Sequence, residues 1–491
     1  MSLSKSRYID YKQCPKKLWL NTYKRDLADE LDQGIFTMGT RVGELARGLF
    51  PGGTLVEYKE NDYNNIKRML KRTAELVEQG TEVIYEAALS DGETLAICDI
   101  LVKNDSGYDM CEVKASTSVK DVHIKDLSFQ YHVLKSCGIE VGNIYLVYIN
   151  RLYTRHGDLN LKELFLAEDL TDVIKDNGKE VKADIIITKE ILEKNEEPIK
   201  DIGIHCDKPY TCQFKGHCYN HVPKNSVFNL AGVHKSKKFN LYYKGIITFE
   251  DIVNNKIKLA AKAQAQLDSE LNNTKIIDKK ALAEFLDTLW YPMYFLDFET
   301  INSAVPLYEG THPYQQVPTQ YSLHYILYEG GILHHSEYLA PTGVDPRRPL
   351  AEQLAADIPD NACVLAYNKS FEKSVIAMLA KHNQDLAVRL TTIHDNIRDL
   401  MHPFQHKHIY LKEMNGSHSI KAVLPALFPD DEELSYDHLK GVHNGQEASA
   451  AYLALTYMSE EEQQKIRESL LKYCKLDTLA MVRLWEKLYS L

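Results

Sequence analysis

The 491-residue sequence contains no uninterrupted apolar run long enough to cross a bilayer, and its opening, MSLSKSRYIDYKQCPKK, lacks the apolar stretch of a secretion signal. A cytoplasmic protein without membrane contact is the expectation. Nine cysteines, an odd number, without such a signal do not read as a disulfide framework. Tight C-x2–4-C pairs, the usual mark of structural zinc, are also missing. There is no internal repeat and no low-complexity tract, so solenoid and fibrous readings fall away. Positive charge is in deficit: the formal net charge is −11, which argues against a chain that coats nucleic acid wholesale. It leaves room for a nuclease, because acidic metal sites add negative charge while basic patches act locally.

What is present is ordinary for a soluble globular protein, with 44% hydrophobic and 26% charged residues and enough length for two or three domains. Residues 1–225 read as one α/β unit. VIYEAALSDGETLAICDILVKNDSGYDMCEVKAS gives successive strands with turns at Gly92 and 104–107, followed by a helix (DLSFQYHVLKSCGI) and another strand (IYLVYIN). Residues 226–285 are Lys-rich and read as a helical connector; HKSKKFNLYYKG within it mixes basic and aromatic residues, as a solvated surface or a phosphate contact would. Residues 286–491 read as a second α/β unit that ends in a periodic helix.

The second unit opens on MYFLDFETINS, where Asp297 and Glu299 close an apolar strand. Side chains two apart on a strand share a face, and two like charges there repel unless a cation lies between them. Further on, VLAYNKSFEKSVIAML sets a strand before Asn368 and a helix after it, with Glu372 in the first turn. YCKLDTLAM places Tyr473 and Asp477 four apart, on one helical face. These motifs resemble those of the DnaQ-like (DEDD) exonucleases of RNase H-like fold: D-x-E on the first strand, an asparagine followed by an aromatic (Phe371) and an acid, and Y-x3-D of the tyrosine subclass. The resemblance implies that Asp297, Glu299, Glu372 and Asp477 hold two Mg²⁺ or Mn²⁺ ions, about 4 Å apart in such sites, with Tyr473 orienting the attacking water. Glu372 departs from the aspartate usual at its position, so its carboxylate reaches from one methylene further back. NGSHSIKAVLPALF and VHNGQEASAAYLAL are also similar to stretches of poorly characterised members of the superfamily. His443, in the second of these, reads as a surface histidine, with general base as the alternative.

In the first unit, Asp99 is followed by Glu112 and Lys114 as E-x-K. Two strands joined by a turn set Asp99 beside Glu112, where both can bind a divalent ion and Lys114 can position water. This pattern resembles the RecB-like branch of the PD-(D/E)xK nucleases. By that resemblance Glu44 matches an upstream helical acid, Gln130 a later helical glutamine, and Glu86 a supporting position.

HCDKPYTCQFKGHC spaces Cys206, Cys212 and Cys218 at intervals of six, with Cys14 far upstream in YKQCPKKLW. RecB-like nucleases with iron–sulfur centres, including CRISPR-associated ones, carry one cysteine before the core and three after it. The resemblance implies a 4Fe–4S cluster on these four thiolates, with zinc as the alternative. Cys98, Cys111, Cys137, Cys363 and Cys474 lie in apolar settings and read as buried thiols.

Taken together, the chain resembles a fusion of an iron–sulfur RecB-like PD-(D/E)xK domain with a DnaQ-like exonuclease domain, as in an uncharacterised bacterial domain-of-unknown-function family. The fold expected is α/β: a restriction-endonuclease-like core, a helical connector and an RNase H-like domain. The function implied is a dual metal-dependent nuclease, with DNA favoured over RNA and hydrolysis from 3′ ends in the second domain. Repair, CRISPR-related processing and antiphage defence are all compatible with it. The alternative is a nucleic-acid-binding scaffold with one or both sites inactive.

Overall fold

The computed structural model describes residues 2–29, 34–59, 64–194, 196–439 and 441–491, without the side chains of 34–37 and 437. The chain divides into two units, Met1–His221 with Ser303–Gln315 and Val222–Asn302 with Gln316–Leu491. Each is mixed α/β.

The first unit is built on a seven-stranded sheet in the order β2–β3–β4–β5–β6–β7, with β1 beside β4. Its strands are β1 (Leu3–Ser4), β2 (Thr54–Leu55), β3 (Val83–Ser90), β4 (Thr94–Lys103), β5 (Tyr108–Lys114), β6 (Val141–Ile149) and β7 (Phe165–Asp169). β3, β4 and β5 pair antiparallel, whereas β5 and β6 run parallel. The β3–β4 turn uses Gly92 at φ 92°, a conformation that costs glycine nothing. At the β4–β5 turn the Asn104 side chain accepts the N–H groups of Ser106 and Gly107. Both faces of this sheet are buried. Ile84, Leu101, Met110 and Leu146 enter one core, and their strand neighbours Tyr85, Ile100, Cys111 and Val147 enter the other. Each such side chain contributes about 1.5–3 kcal/mol.

The helices that matter to the sites of this unit are α1 (Lys5–Gln13), α2 (Pro15–Tyr23), α3 (Gly34–Ala46), α4 (Asn65–Glu78), α5 (Asp121–Ser136) and α6 (Gly178–Glu193). α5 makes the crossover that parallel β5 and β6 require. α1 is pinned to α5 and α6 through Tyr8, which stacks on Phe129 at 4.7 Å and donates to Asp184 at 2.9 Å. β1 pairs with Thr94 and Leu95 of β4, and β3 occupies the other edge at Leu95. β1 therefore lies on the β5 edge, along the part of β4 that precedes the β5 ladder at Ile100. That placement brings the start of α1 to the β4–β5 pair.

In the second unit a five-stranded sheet runs β11–β10–β9–β12–β13, and a small pair joins β14 to β8. The ranges are β8 (Ile276–Ile277), β9 (Met293–Asn302), β10 (Gln316–Ile326), β11 (His334–Leu339), β12 (Cys363–Ala366), β13 (Ile397–Asp399) and β14 (Ile409–Tyr410). β9 is the central strand, antiparallel to β10 and parallel to β12. Met293 and Phe295 face a core shared with Met481 and Trp485 of α8 (Glu460–Tyr489). Tyr294, Leu296 and Phe298 face the opposite core with Val375 and Ile376 of α7 (Lys369–His382). α8 starts at a capping box in which Ser459 and Glu462 satisfy each other's N–H groups. The 226–285 stretch, expected as a separate connector, is helical over Lys235–Tyr242, Phe249–Asn254, Ala261–Leu271 and Lys279–Leu286 and groups with this second unit. Among the described residues, no helix is long and apolar enough to cross a membrane.

Candidate functional site

The acids of the second unit converge. Asp297 and Glu299 occupy alternate positions of β9, on the face that carries Met293 and Phe295 and is covered by α8. α8 supplies Asp477, and ligand oxygens of Asp297, Glu299 and Asp477 all lie within 4.8 Å of one another. Glu372 stands outside this triad, on the first turn of α7, at 2% exposure. Its Oε2 is buried without a hydrogen-bond partner, a state that costs free energy unless something else occupies the space. Asn368 makes the sharp strand-to-helix junction that aims this turn. It adopts a left-handed φ of 74°, and its N–H donates to Asp399 Oδ1 at 3.1 Å.

The electrostatics follow from burial and proximity. Burial, then Asp477, Glu299 and Glu372 in turn, push the Asp297 carboxyl well above its usual range. Burial and Asp477 push Glu299 up to about 8; burial, reinforced by Asp399, pushes Glu372 up to about 8. Asp477 rises to about 6 by burial, opposed by the hydrogen bond from Tyr436, by Lys421 and by the nearby Tyr473 hydroxyl. The Tyr436 bond to Asp477 Oδ1 is 2.5 Å long. Such a cluster either keeps protons at neutral pH or holds a hard cation.

Sequence reasoning missed Tyr436, Lys421, Asp399 and Cys474. The Cys474 Sγ lies 3.6 Å from Asp297 Oδ2, and its place beside Tyr473 was the one available signal. Nothing in the spacing marks the other three. His443 is exposed and has both ring nitrogens engaged, by Glu447 at 3.0 Å and by the Leu439 carbonyl at 3.0 Å.

In the first unit the β4–β5 register, Ile100 opposite Cys111 and Leu101 opposite Met110, sets Asp99 opposite Glu112. Both face α5. Asp99 Oδ2 accepts the Val113 N–H at 2.7 Å. Glu112 is 1% exposed; its Oε1 accepts from Lys114 at 2.6 Å and from Lys5 at 2.9 Å, and its Oε2 accepts from Gln130 at 2.8 Å. Asp126, one turn before Gln130 on α5, accepts from Lys114 at 2.7 Å and from Gln130 at 2.9 Å. Lys5 and Asp126 had not been foreseen. Glu86 lies opposite Asp99 on β3, at a φ of 55° and ion-paired to Arg47 at 2.9 Å. Glu44 is exposed on α3 and takes no part in this ion-pair cluster. Burial and Glu112 push Asp99 up to about 7. For Glu112 itself, burial is outweighed by Lys114 and Lys5, which hold its carboxyl well below the usual range.

Cys14, Cys206, Cys212 and Cys218 line one cavity together with Lys16 and Lys17. Cys14 ends α1, and the Cys212 N–H donates to the Cys206 carbonyl at 2.8 Å, which curls the loop around the cavity. Among the described residues no three of these sulfurs lie within 4.8 Å of one another. Burial raises the Cys206, Cys212 and Cys218 thiols, Cys218 to about 11. Of the remaining thiols, Cys98, Cys111, Cys363 and Cys474 are buried and Cys137 is half-buried.

Residues 294–419 match the family described as Domain of unknown function (DUF2779), a stretch that includes Asp297, Glu299 and Glu372. The chain is 28% identical over 229 residues to the uncharacterized MG366 homolog of Mycoplasma pneumoniae, a match covering 42% of this chain and 34% of that protein. It is 27% identical over 218 residues to the uncharacterized protein MG366 of Mycoplasma genitalium, covering 38% and 30%. A third relative, the uncharacterized protein UU173 of Ureaplasma parvum, is 28% identical over 231 residues, covering 43% and 33%. The chain thus spans about a third of the length of the curated relatives it matches.

Proposed function

We propose that the chain is a metal-dependent nuclease with two active sites, one in each unit. The observation that carries this reading is the convergence of Asp297, Glu299 and Asp477 within 4.8 Å, from a central strand and a helix at the far end of the sequence. The second unit is read as a DnaQ-like exonuclease on an RNase H-like fold. Asp297, Glu299, Glu372 and Asp477 would hold Mg²⁺ or Mn²⁺. Ions so placed activate water and stabilise the leaving oxygen of a phosphodiester. The residues present suit hard cations: all are carboxylates, and Glu372 Oε2 has no other partner. Tyr473, one helical turn before Asp477 on α8, is suited to orient a water beside it.

The first unit is read as a RecB-like PD-(D/E)xK nuclease. Asp99 and Glu112 would hold the ion there, while Lys114, fixed between Glu112 and Asp126, keeps a charged donor on the same face. The cavity lined by Cys14, Cys206, Cys212 and Cys218 supports a 4Fe–4S cluster, with zinc as the alternative. The substrate is nucleic acid, with DNA favoured, in a cytoplasmic setting. A scaffold reading, in which the second site binds without cutting, draws on Tyr436, whose hydroxyl already engages Asp477 Oδ1.

Labelled single-stranded DNA, double-stranded DNA and RNA, each incubated with protein and Mn²⁺ or Mg²⁺, test both readings. Asp297→Ala and Lys114→Ala should each abolish a different product. Cleavage unaffected by either substitution sinks the residue assignments. Binding without cleavage by the unsubstituted protein establishes the scaffold instead.

A further inference from the structure

We propose that Lys5 is a positioning residue of the first unit's acidic site: its ammonium holds Glu112 Oε1 until a divalent cation takes that oxygen, and it then turns to the phosphate beside that cation. The inference rests on the nuclease reading of this unit.

Glu112 has its two oxygens engaged by three donors: Lys5 at 2.9 Å and Lys114 at 2.6 Å on Oε1, and Gln130 at 2.8 Å on Oε2. The carboxylate is almost fully buried. A cation arriving at Oε1 therefore displaces an existing donor, since no water-facing lone pair is left for it. The two lysines are not held equally. Lys114 has a second short bond, 2.7 Å to Asp126 Oδ2. The next acceptor of Lys5, Asp126 Oδ1, is 3.7 Å away, beyond hydrogen-bonding distance. Lys5 is thus the donor that leaves at lower cost.

Charge points the same way. Asp99, Glu112 and Asp126 face Lys5 and Lys114. A divalent cation added to that set leaves positive charge in excess, and a phosphodiester anion supplies the balance. The released ammonium is its natural partner.

Nor is Lys5 a loose terminal side chain. β1 is laddered to β4 immediately before it, Ser4 caps its helix, and Tyr8 and Lys12 bind Asp184 at 2.9 and 2.7 Å. At the far end of the nine-residue α1, Gln13 donates to the His205 and Tyr210 carbonyls at 2.9 and 2.8 Å. One helix therefore carries Lys5 at its start and is strapped to the cysteine loop at its end.

The test uses the full chain carrying Asp297→Ala, which removes the second unit's ion site, and reads Mn²⁺ affinity by electron paramagnetic resonance alongside single-turnover cleavage. Lys5→Met should tighten Mn²⁺ about tenfold by removing a competitor and slow cleavage on the order of a hundredfold by removing a phosphate donor. Lys5→Arg should return both toward the parent. Lys5→Gln, a neutral donor, carries the same expectation should Lys5→Met not fold. If the Asp297→Ala protein binds no Mn²⁺ that Glu112→Gln abolishes, the nuclease reading of the unit fails and takes this inference with it. If Mn²⁺ binds through Glu112 but neither affinity nor rate responds at Lys5, the inference alone is wrong.

Discussion

Asp297 and Asp477 bring carboxylate oxygens within 4.8 Å of each other, one from the central strand β9 and one from the terminal helix α8. Asp99 and Glu112 are likewise paired across two strands, yet the two sites meet their repulsion differently. Glu112 is compensated by Lys5 and Lys114 and stays ionised. In the second unit, among the described residues, Lys421 is the cation that acts on the cluster; burial raises all four carboxyls, and repulsion from neighbouring acids adds to it at Asp297, Glu299 and Glu372. The first site carries its compensating charge as two lysines; the second is compensated far less.

Replacing one carboxyl of the uncompensated cluster by an amide should therefore stabilise the metal-free protein, because the amide is buried without a repelling charge and without a proton taken up on folding. Asp297→Asn is expected to raise its melting temperature by about 2–4 °C, the scale of a 1 kcal/mol gain in a domain of this size. It should also reduce the further rise on adding Mn²⁺ to the part that the first unit's site supplies. Melting curves in chelator and in Mn²⁺ measure both. A lower melting temperature in chelator would show that the acids do not repel in the native state.

The same cluster sets a pH dependence. Glu299 and Glu372 are pushed up to about 8 and Asp477 to about 6, whereas unfolded carboxyls titrate near 4. Between these values the native state binds protons that the unfolded state has shed, so stability falls as pH rises. Asp99, at about 7, acts in the same sense. Glu112 has the opposite sign: its contribution is present above the unfolded value and is lost only in stronger acid. Metal-free protein should therefore melt progressively lower from pH 5.5 to 8, and saturating Mn²⁺ should flatten the trend. A flat profile in chelator contradicts the assignment.

Much of this was legible in the sequence for a physical reason. A strand repeats every two residues and a helix every 3.6, so D-x-E, E-x-K and Y-x3-D each fix a shared face before any tertiary structure is known. Asp297, Glu299, Tyr473 and Asp477 were readable on that ground, as were Glu112 and Lys114. Asp99 needed in addition the β4–β5 turn at Asn104. Lys5, Asp126, Tyr436 and Lys421 were not legible, because each reaches its site through tertiary packing. Lys5 depends on the β1–β4 ladder, a two-residue pairing too short to announce itself. Glu44 was placed by analogy with a helical acid, and the helix presents it to solvent. The connector at 226–285 looked separate because it is Lys-rich, yet Phe239, Phe249 and Leu267 bury apolar faces.

Lys114 bridges two buried acids, Glu112 at 2.6 Å and Asp126 at 2.7 Å. Lys114→Ala should cost stability on the order of 3 kcal/mol as well as cleavage, because it strands buried charge that Lys5 alone does not cover. Lys114→Met in a Glu112→Gln background should recover part of that loss. Denaturant unfolding of the single and double variants measures the coupling; additive losses would mean that the pair is not energetically linked.

The cysteine cavity makes a prediction independent of activity. Anaerobically purified protein should show the broad visible absorption of an iron–sulfur cluster and contain about four irons per chain, and Cys212→Ser should lose most of both. Because Gln13 straps α1 to the same loop, loss of the cluster should also increase hydrogen exchange along α1. Colourless protein with one zinc per chain would refute the cluster.

Glu372 decides whether the second site is a working one. Its carboxylate reaches from one methylene further than aspartate, yet its Oε2 is buried and unpartnered, as expected of a ligand whose cation completes it. On that geometry Glu372→Asp draws the oxygen back by more than 1 Å, and misplacement of this size costs up to about a hundredfold in rate. The product assigned to the second unit should slow by about ten- to a hundredfold, while the product that depends on Lys114 is unchanged. The opposite outcome is equally informative. If Glu372→Asp accelerates cleavage, the native glutamate holds its carboxylate off the productive position, and the second unit is tuned for binding nucleic acid more than for cutting it.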